Sequence, residues 1–486
     1  MADDSTSYAV AQDGCEKHPP LGIYAKSSSP PLKIDQGEII RNLRAERYQI
    51  QFFARHLLAS RGNEQVKAGV LNHPLNIHRT AKCMHVRHSP DVDVYRSKEH
   101  QKAFLGGLVI CGNVWACPVC AAKVQERRRA EIAQLFDSVY SGQLGSNKKM
   151  IMVTFTLSHS ISDKLRDLLY AQAEAFRRLR AGKVWTKRKN RVGYEGLVRS
   201  LEVTYGANGW HPHTHEGWVV DADVDVDEFR DWLANRWFNI CLKLGLATEA
   251  KKEHFLKHSV DIKDNCRASD YLAKQDDSRN WGVDRELAKA STKHGKKSGK
   301  HPFELLKDFE NGDGKAGKTF LEYVFSMKGK AQLFWSRGLK DRVLIEDKTD
   351  EELANEKTDD ADLLGRLNSD QWSVIIKHKF VSKVLDVAET QGWKGIISML
   401  EKLKLSDPES PFSDVSEGDS VAPESFYRKH SVFRSRSLNR LEVSQSSDAI
   451  LPVTQDDFVK SGLRTQAEEV APDQQVVSTS QPPPSP

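Results

Sequence analysis

The apolar run Met150-Ile151-Met152-Val153-Thr154-Phe155-Thr156-Leu157 predicts a buried strand. Leu165, Leu168, Leu169, Ala173, Phe176 and Leu179 then recur at the spacing of one helix face, and Phe229, Trp232, Leu233, Trp237, Ile240 and Leu244 repeat it on a second helix. Aromatic side chains at helical spacing are far more often core than ligand contacts, so both stripes read as core covering a sheet. Between them, Leu197-Val198-Arg199-Ser200-Leu201-Glu202-Val203-Thr204-Tyr205 and Trp210-His211-Pro212-His213-Thr214-His215-Glu216-Gly217-Trp218-Val219-Val220 flank the turn residues Gly206-Ala207-Asn208-Gly209. This predicts a β-hairpin.

Upstream, residues 39 to 58 mix apolar positions with Arg41, Arg44, Arg47 and Arg55 and predict a basic amphipathic helix. Another basic helix, with Arg127-Arg128-Arg129, is expected from Ala121 to Tyr140. Phe303 to Asn311 reads as a polar amphipathic helix, and a helical pair is expected from Trp372 to Val387 and from Trp393 to Leu403. Residues 347 to 365 are acidic and read as a linker. Residues 1 to 35 and those beyond about 405 are poor in core formers, so a flexible arm and a disordered tail are expected at the ends.

The hairpin carries the first candidate chemistry. Side chains two apart on a strand share a face, so His213 and His215 project together with Cα atoms ~7 Å apart. Folding the hairpin about residues 208 and 209 sets Glu202 roughly opposite His215. Two imidazoles and a carboxylate would hold a divalent metal with positions left open, as catalysis requires, and His211 is an alternative ligand. A histidine-rich surface turn would show the same spacing with no ligand; the acid on the partner strand argues against it.

A second set is sulfur. Cys83, Cys111 and the Cys117-Pro118-Val119-Cys120 knuckle could complete a four-thiolate structural zinc site, with His85 as a substitute for Cys83 or Cys111. A thioredoxin-like redox pair also uses C-P-x-C, but it should follow a buried central strand and would leave two cysteines unexplained.

Net charge of +5 and pI near 8.6 are only mildly basic, but lysine and arginine cluster at residues 183–191 and 293–300, which suits phosphate backbones; a solvated helix end or loop is the bland alternative. A mean hydropathy of -0.57 with 39% hydrophobic residues fits a real core beside much solvated chain. With no secretory signal and no apolar run near ~18 residues, a membrane span is not expected and a cytoplasmic location is.

His213-Thr214-His215 behind an apolar strand resembles the HUH motif of rolling-circle replication initiators, with Thr214 where a bulky hydrophobic residue is usual. The strand at 150–157, ending in Thr-Leu, is similar to their first motif, and Tyr271-Leu272-Ala273-Lys274 after His258-Ser259-Val260-Asp261-Ile262-Lys263 to their third, Y-x-x-K. Order and distance along residues 80 to 340 carry the likeness, since Y-x-x-K alone is common by chance. The resemblance implies an α+β fold: an antiparallel sheet with the metal-binding hairpin at its centre, helices on one face, and a zinc-knuckle element in front. The corresponding domains are an arm at 1–35, a basic Cys-rich element at 36–145, a nicking domain at 146–345, a linker with helical module at 346–404, and a tail at 405–486.

It further implies a plasmid initiator that nicks one origin strand. Tyr271 would be the nucleophile, assisted by Lys274, with Mg²⁺ or Mn²⁺ held by Glu202, His213 and His215. Origin DNA, a host helicase and a DNA polymerase are the implied partners. Some similar initiators place a carboxylate one helical turn before the tyrosine for strand release; Arg267 stands there, so Asp270 is the expected substitute. A relaxase or transposase of the same superfamily, or a binding-only zinc-dependent regulator, are the alternatives. Gly312 to Thr319 fits the P-loop pattern, but the helix expected before it is not the strand a P-loop needs.

Overall fold

A computed structural model describes residues 36–71, 77–267, 299–356 and 360–406. Its main sheet has five antiparallel strands in the order β6-β3-β5-β4-β7: Val260–Lys263, Lys148–Phe155, Gly209–Asp221, Gly196–Gly206 and Leu333–Trp335. The expected buried strand is β3 and the expected hairpin is β4 with β5. Beta-5 holds the sheet centre, and Trp218, Val219 and Val220 are fully buried on it.

Side-chain alternation along β5 divides the core. Trp218 and Val220 join Ile151, Val153, Phe155 and Leu197 on one face, packed against α3 (Leu165–Leu179) and α5 (Val226–Lys243) through Phe176, Leu179, Phe229, Leu233 and Trp237. Each such fully buried side chain contributes ~1.5–3 kcal/mol. Ala173 is exposed; Ala175 takes the core position on α3 instead. The opposite face, with Met150, Met152, Val198 and Val219, is covered by Ile132, Leu135, Phe136 and Val139 of α2 (Pro118–Tyr140) and by Leu339, Val343 and Ile345. Helices therefore cover both faces, not one. Alpha-2 reaches only one end of its face because His215, His213 and His211 succeed Val219 and Gly217 along the strand, and polar imidazoles offer α2 nothing apolar to pack on.

The amino-terminal helix α1 (Gln36–Lys67) is longer than its apolar pattern, and buries Ile50, Ala54 and Leu58 beside Trp115, Trp210, Phe320 and Tyr323. A second sheet pairs β1 (Val92–Ser97) with β2 (Ala103–Gly106) and with β8 (Ala361–Leu367). Beta-8 lies inside the stretch expected to be linker. The helix expected from Trp372 to Val387 is two, Ser369–Lys377 and Val381–Thr390, separated at Lys379 with φ of +58°. A further helix, Gly392–Ser406, completes the cluster, whose core of Trp372, Ile375, Val384, Leu385, Ile396 and Leu400 packs on Val92, Val94 and Leu105. Among the described residues no helix is long and apolar enough to cross a membrane.

The P-loop lookalike is helical. Asp313 caps the helix Gly314–Ser326, the element before it is the helix Glu304–Glu310, and Gly317 packs against Phe309 and Leu57. A helix, not the strand a P-loop needs, stands immediately before the motif.

Candidate active site and cysteine centre

The hairpin turn closes one residue earlier than its composition suggests. Gly206 pairs with Gly209, which puts Ala207 and Asn208 in the turn, and Glu202 stands opposite His213 while Ser200 stands opposite His215. The expected pairing of Glu202 with His215 is thus shifted by two residues. The positive φ of Gly209, +85°, sets the turn, and a Cβ there would come within 2.9 Å of the Ser160 carbonyl oxygen.

A two-residue slip preserves the face, so the three side chains still converge. Glu202 Oε2 lies 2.9 Å from His213 Nε2 and 3.5 Å from His215 Nε2. Ligand atoms ~2.1 Å from a common ion stand ~3.0–3.4 Å apart at octahedral or tetrahedral angles, which these separations bracket. The group therefore fits a divalent cation. Burial alone would raise the Glu202 carboxyl, but the hydrogen bonds and charge of His213 and His215 prevail and hold it well below the usual carboxylate range. It remains an anion, as a ligand must.

The neighbours orient the triad. Thr154 stands opposite His215 on β3, and its Oγ1 shares a hydrogen bond of 3.0 Å with Nδ1, leaving Nε2 for the site. No sequence signal marked Thr154 for this role; the β3–β5 register creates it. His211 stacks on His159 with ring centroids 4.7 Å apart and stays outside the close triad. Burial first, then the imidazoles of His213 and His159, push the His211 pKa down to about 4. On the other face of β5, Thr214 is buried with its hydroxyl unpartnered, and Glu216, also buried, pairs with Arg180 and accepts a hydrogen bond from Trp218 Nε1 at 2.7 Å.

The expected nucleophile and its expected assisting lysine, Tyr271 and Lys274, lie outside the described residues, as does Asp270. Arg267 is exposed. Of two tyrosines among the described residues, Tyr205 is at the hairpin end, and Tyr323 is core: it lies between Trp210, at 5.9 Å, and Trp115, at 6.3 Å, and burial pushes its phenol pKa far up.

The second centre is the cysteine cluster. Cys83 ends a short 3₁₀ turn, Cys117 caps α2, Cys120 lies in its first turn, and Cys111 precedes them on a loop folded by Asn113, whose Oδ1 accepts from the amides of Trp115 and Ala116. Gly112 has φ of +63°, and a Cβ there would meet the Glu351 backbone at 2.6 Å. All four thiols are buried. Their Sγ separations of 3.5, 3.6 and 3.7 Å are close to the ~3.8 Å edge of a tetrahedron with zinc–sulfur bonds of ~2.3 Å, and far from a disulfide bond. Hydrogen bonding among the thiols and then burial raise Cys83 well above the ordinary thiol range, so thiolates here need a cation. Gln51 Nε2 donates to Cys117 Sγ at 3.2 Å, and Thr80 Oγ1 to Cys111 Sγ at 3.4 Å. His85 is not among the converging ligands; its carbonyl accepts from Trp372 Nε1.

A family model described as "Replication protein" matches residues 108–380, more than half of the chain. "Protein rep" of Streptomyces lividans is 29% identical over 330 residues, which cover 54% of this chain and 69% of that one. "Neomycin resistance protein" of Streptomyces cyanogenus is 36% identical over 134 residues, 22% of this chain and 30% of that one. No solved structure matches the chain.

Proposed function

The chain belongs to the replication protein family, and on that premise we propose that it initiates rolling-circle replication of a plasmid by nicking one strand at the origin. The convergence of Glu202, His213 and His215 at ligand spacing on one face of the sheet carries the reading. A divalent ion such as Mg²⁺ or Mn²⁺ would be held there and would supply positive charge against the scissile phosphate. The chain's own residues do the rest. Thr154 holds the orientation of His215. The Tyr271 phenol oxygen bonds to phosphorus while the bond from phosphorus to the 3′ oxygen breaks. The phenol proton is lost and the leaving 3′ oxygen gains one. The product is a 5′-phosphotyrosyl link and a free 3′-hydroxyl for a host polymerase, with a host helicase exposing the strand. Lys274 neutralises charge on the linked phosphate, and Asp270 assists strand release.

An ester link conserves the energy of the broken phosphodiester, so the strand can later be rejoined; hydrolysis by water would not allow this. Supercoiled origin plasmid with Mg²⁺ or Mn²⁺ should yield nicked circles with protein on a 5′ end, and Tyr271→Phe none. Covalent nicking by the variant would reassign the nucleophile. No nicking by wild type on its own origin would leave a DNA-binding regulator that holds zinc at the cysteine cluster.

A further inference from the structure

Alpha-4, Gly182–Arg191, is fastened to the body by two side chains: Trp185 and Arg188 are buried and its other residues are exposed. Trp185 sits among Tyr194, Trp218 and Trp232 at 5.5, 5.9 and 6.4 Å. The Arg188 guanidinium donates to both Glu228 oxygens at 2.6 and 2.8 Å and lies 4.7 Å over the Trp232 ring. These contacts fix which way the helix faces. Outward it presents Lys183, Val184, Lys187, Lys189 and Arg191 and no acid.

The charges work against the helix that carries them. Lys183 with Lys187, and Lys187 with Arg191, are like-charge pairs four apart, which destabilise a helix. Lys189 and Arg191 suit the negative end of the helix dipole, but Lys183 lies in the first turn, at the positive end. Among the described residues the acid within reach is Glu228, already bound to Arg188 and 4.0 Å from Arg191. An anion from outside the chain would offset this repulsion.

We propose that the outer face of α4 takes the phosphate backbone of duplex DNA. It lies across the sheet from Glu202, His213 and His215, because Trp185 packs on Trp218 and the triad projects from the other side of β5. The choice of DNA rests on the replication reading. Lys183, Lys187 and Arg191 follow one another at ~6 Å intervals along the helix. That row spans three or four phosphates of a strand rising ~3.4 Å per nucleotide, a line of charge that an acidic peptide does not match. Alpha-4 would hold unbroken duplex beside the origin while the opposite face works on an unpaired strand.

The test uses the full chain with Lys183→Gln/Lys187→Gln and, separately, Lys187→Glu. The glutamate turns both like-charge pairs into opposite ones, so its melting temperature should not fall below wild type and the fold is preserved. Binding to a 20-base-pair duplex lacking the origin should weaken roughly 10- to 100-fold near 0.1 M salt for the double variant. The slope of log affinity against log salt should become shallower by about 1.8, at ~0.9 per lost phosphate contact. Cleavage of a short single-stranded origin oligonucleotide should be unchanged. An unaltered salt slope overturns the proposal, including the case where α4 binds an acidic protein segment instead. Equal loss of affinity for a short single strand also overturns it, by moving α4 into the strand path. If wild type fails to cut the oligonucleotide, the nicking reading falls while the duplex slope still decides for or against α4.

Discussion

The cysteine cluster and the hairpin triad are both compact sets of metal-type ligands, yet they are built for opposite purposes. Cys83, Cys111, Cys117 and Cys120 are at most 3% exposed and bring four sulfurs within 4.8 Å of one another, so a tetrahedral ion held by all four would have no vacant position. They tie the α2 start to loops from well before it. Glu202, His213 and His215 retain 10–15% side-chain exposure, number three, and stand on the paired strands β4 and β5. On the proposed reading, closure would make the first a fastener, and incompleteness would let the second accept a substrate atom. Tyr323, held between Trp115 of the cysteine loop and Trp210 of the hairpin, joins them through one apolar cluster.

The largest effect should come from opening the fastener. Cys120→Ser, or removal of zinc by a chelator, should lower the melting temperature by about 10 °C or more, because metal binding free energy there is folding free energy. His213→Ala should instead abolish nicking and move the melting temperature by no more than about 3 °C. Metal analysis of the reduced protein should find zinc, lost in Cys120→Ser and retained in His213→Ala. A zinc-free reduced wild type, or a His213→Ala that melts as early as Cys120→Ser, would break the contrast.

How far this was legible in the chain follows from the range of the interactions. The H-x-H spacing sufficed to place two imidazoles on one face, since strand alternation is local. The expected register is off by two because Gly209 reads as a turn residue yet pairs with Gly206, but a slip of two keeps every side chain on its face, so Glu202 belongs to the triad. The knuckle turn announced Cys117 and Cys120, whereas the approach of Cys83 depends on tertiary packing. Beta-8 was missed for the same reason: Ala361–Leu367 is short, contains Gly365 and pairs with β1 far upstream, so neither pattern nor propensity marks it. Thr154 meets His215 only once β3 and β5 are in register.

That contact gives a smaller and sharper test. Thr154→Val keeps the shape of the side chain and removes the oxygen that fixes His215 Nδ1. It should weaken divalent metal binding at the triad ~10- to 100-fold, with nicking restored toward wild type at high Mn²⁺, while Thr154→Ser retains most of both. Zinc content should not change. A metal requirement identical to wild type would show that the imidazole needs no such support.

The smallest effect concerns Thr214, which has the same chemistry as Thr154 and the opposite circumstances. Its side chain points away from the triad into the aromatic and aliphatic side of the sheet, is 1% exposed, and its hydroxyl has no partner. A buried hydroxyl with no hydrogen bond costs about 1–3 kcal/mol, and replacing it by a methyl of similar volume removes that cost while keeping the β-branch that suits a strand. Thr214→Val should therefore raise stability by about 1 kcal/mol in denaturant unfolding. His213 and His215 face the other way, so metal affinity and nicking should stay within about twofold of wild type. If Thr214→Val instead reduced metal binding as much as Thr154→Val, the two faces of β5 would not be independent. The open centre would then depend on its core packing as closely as the closed one does.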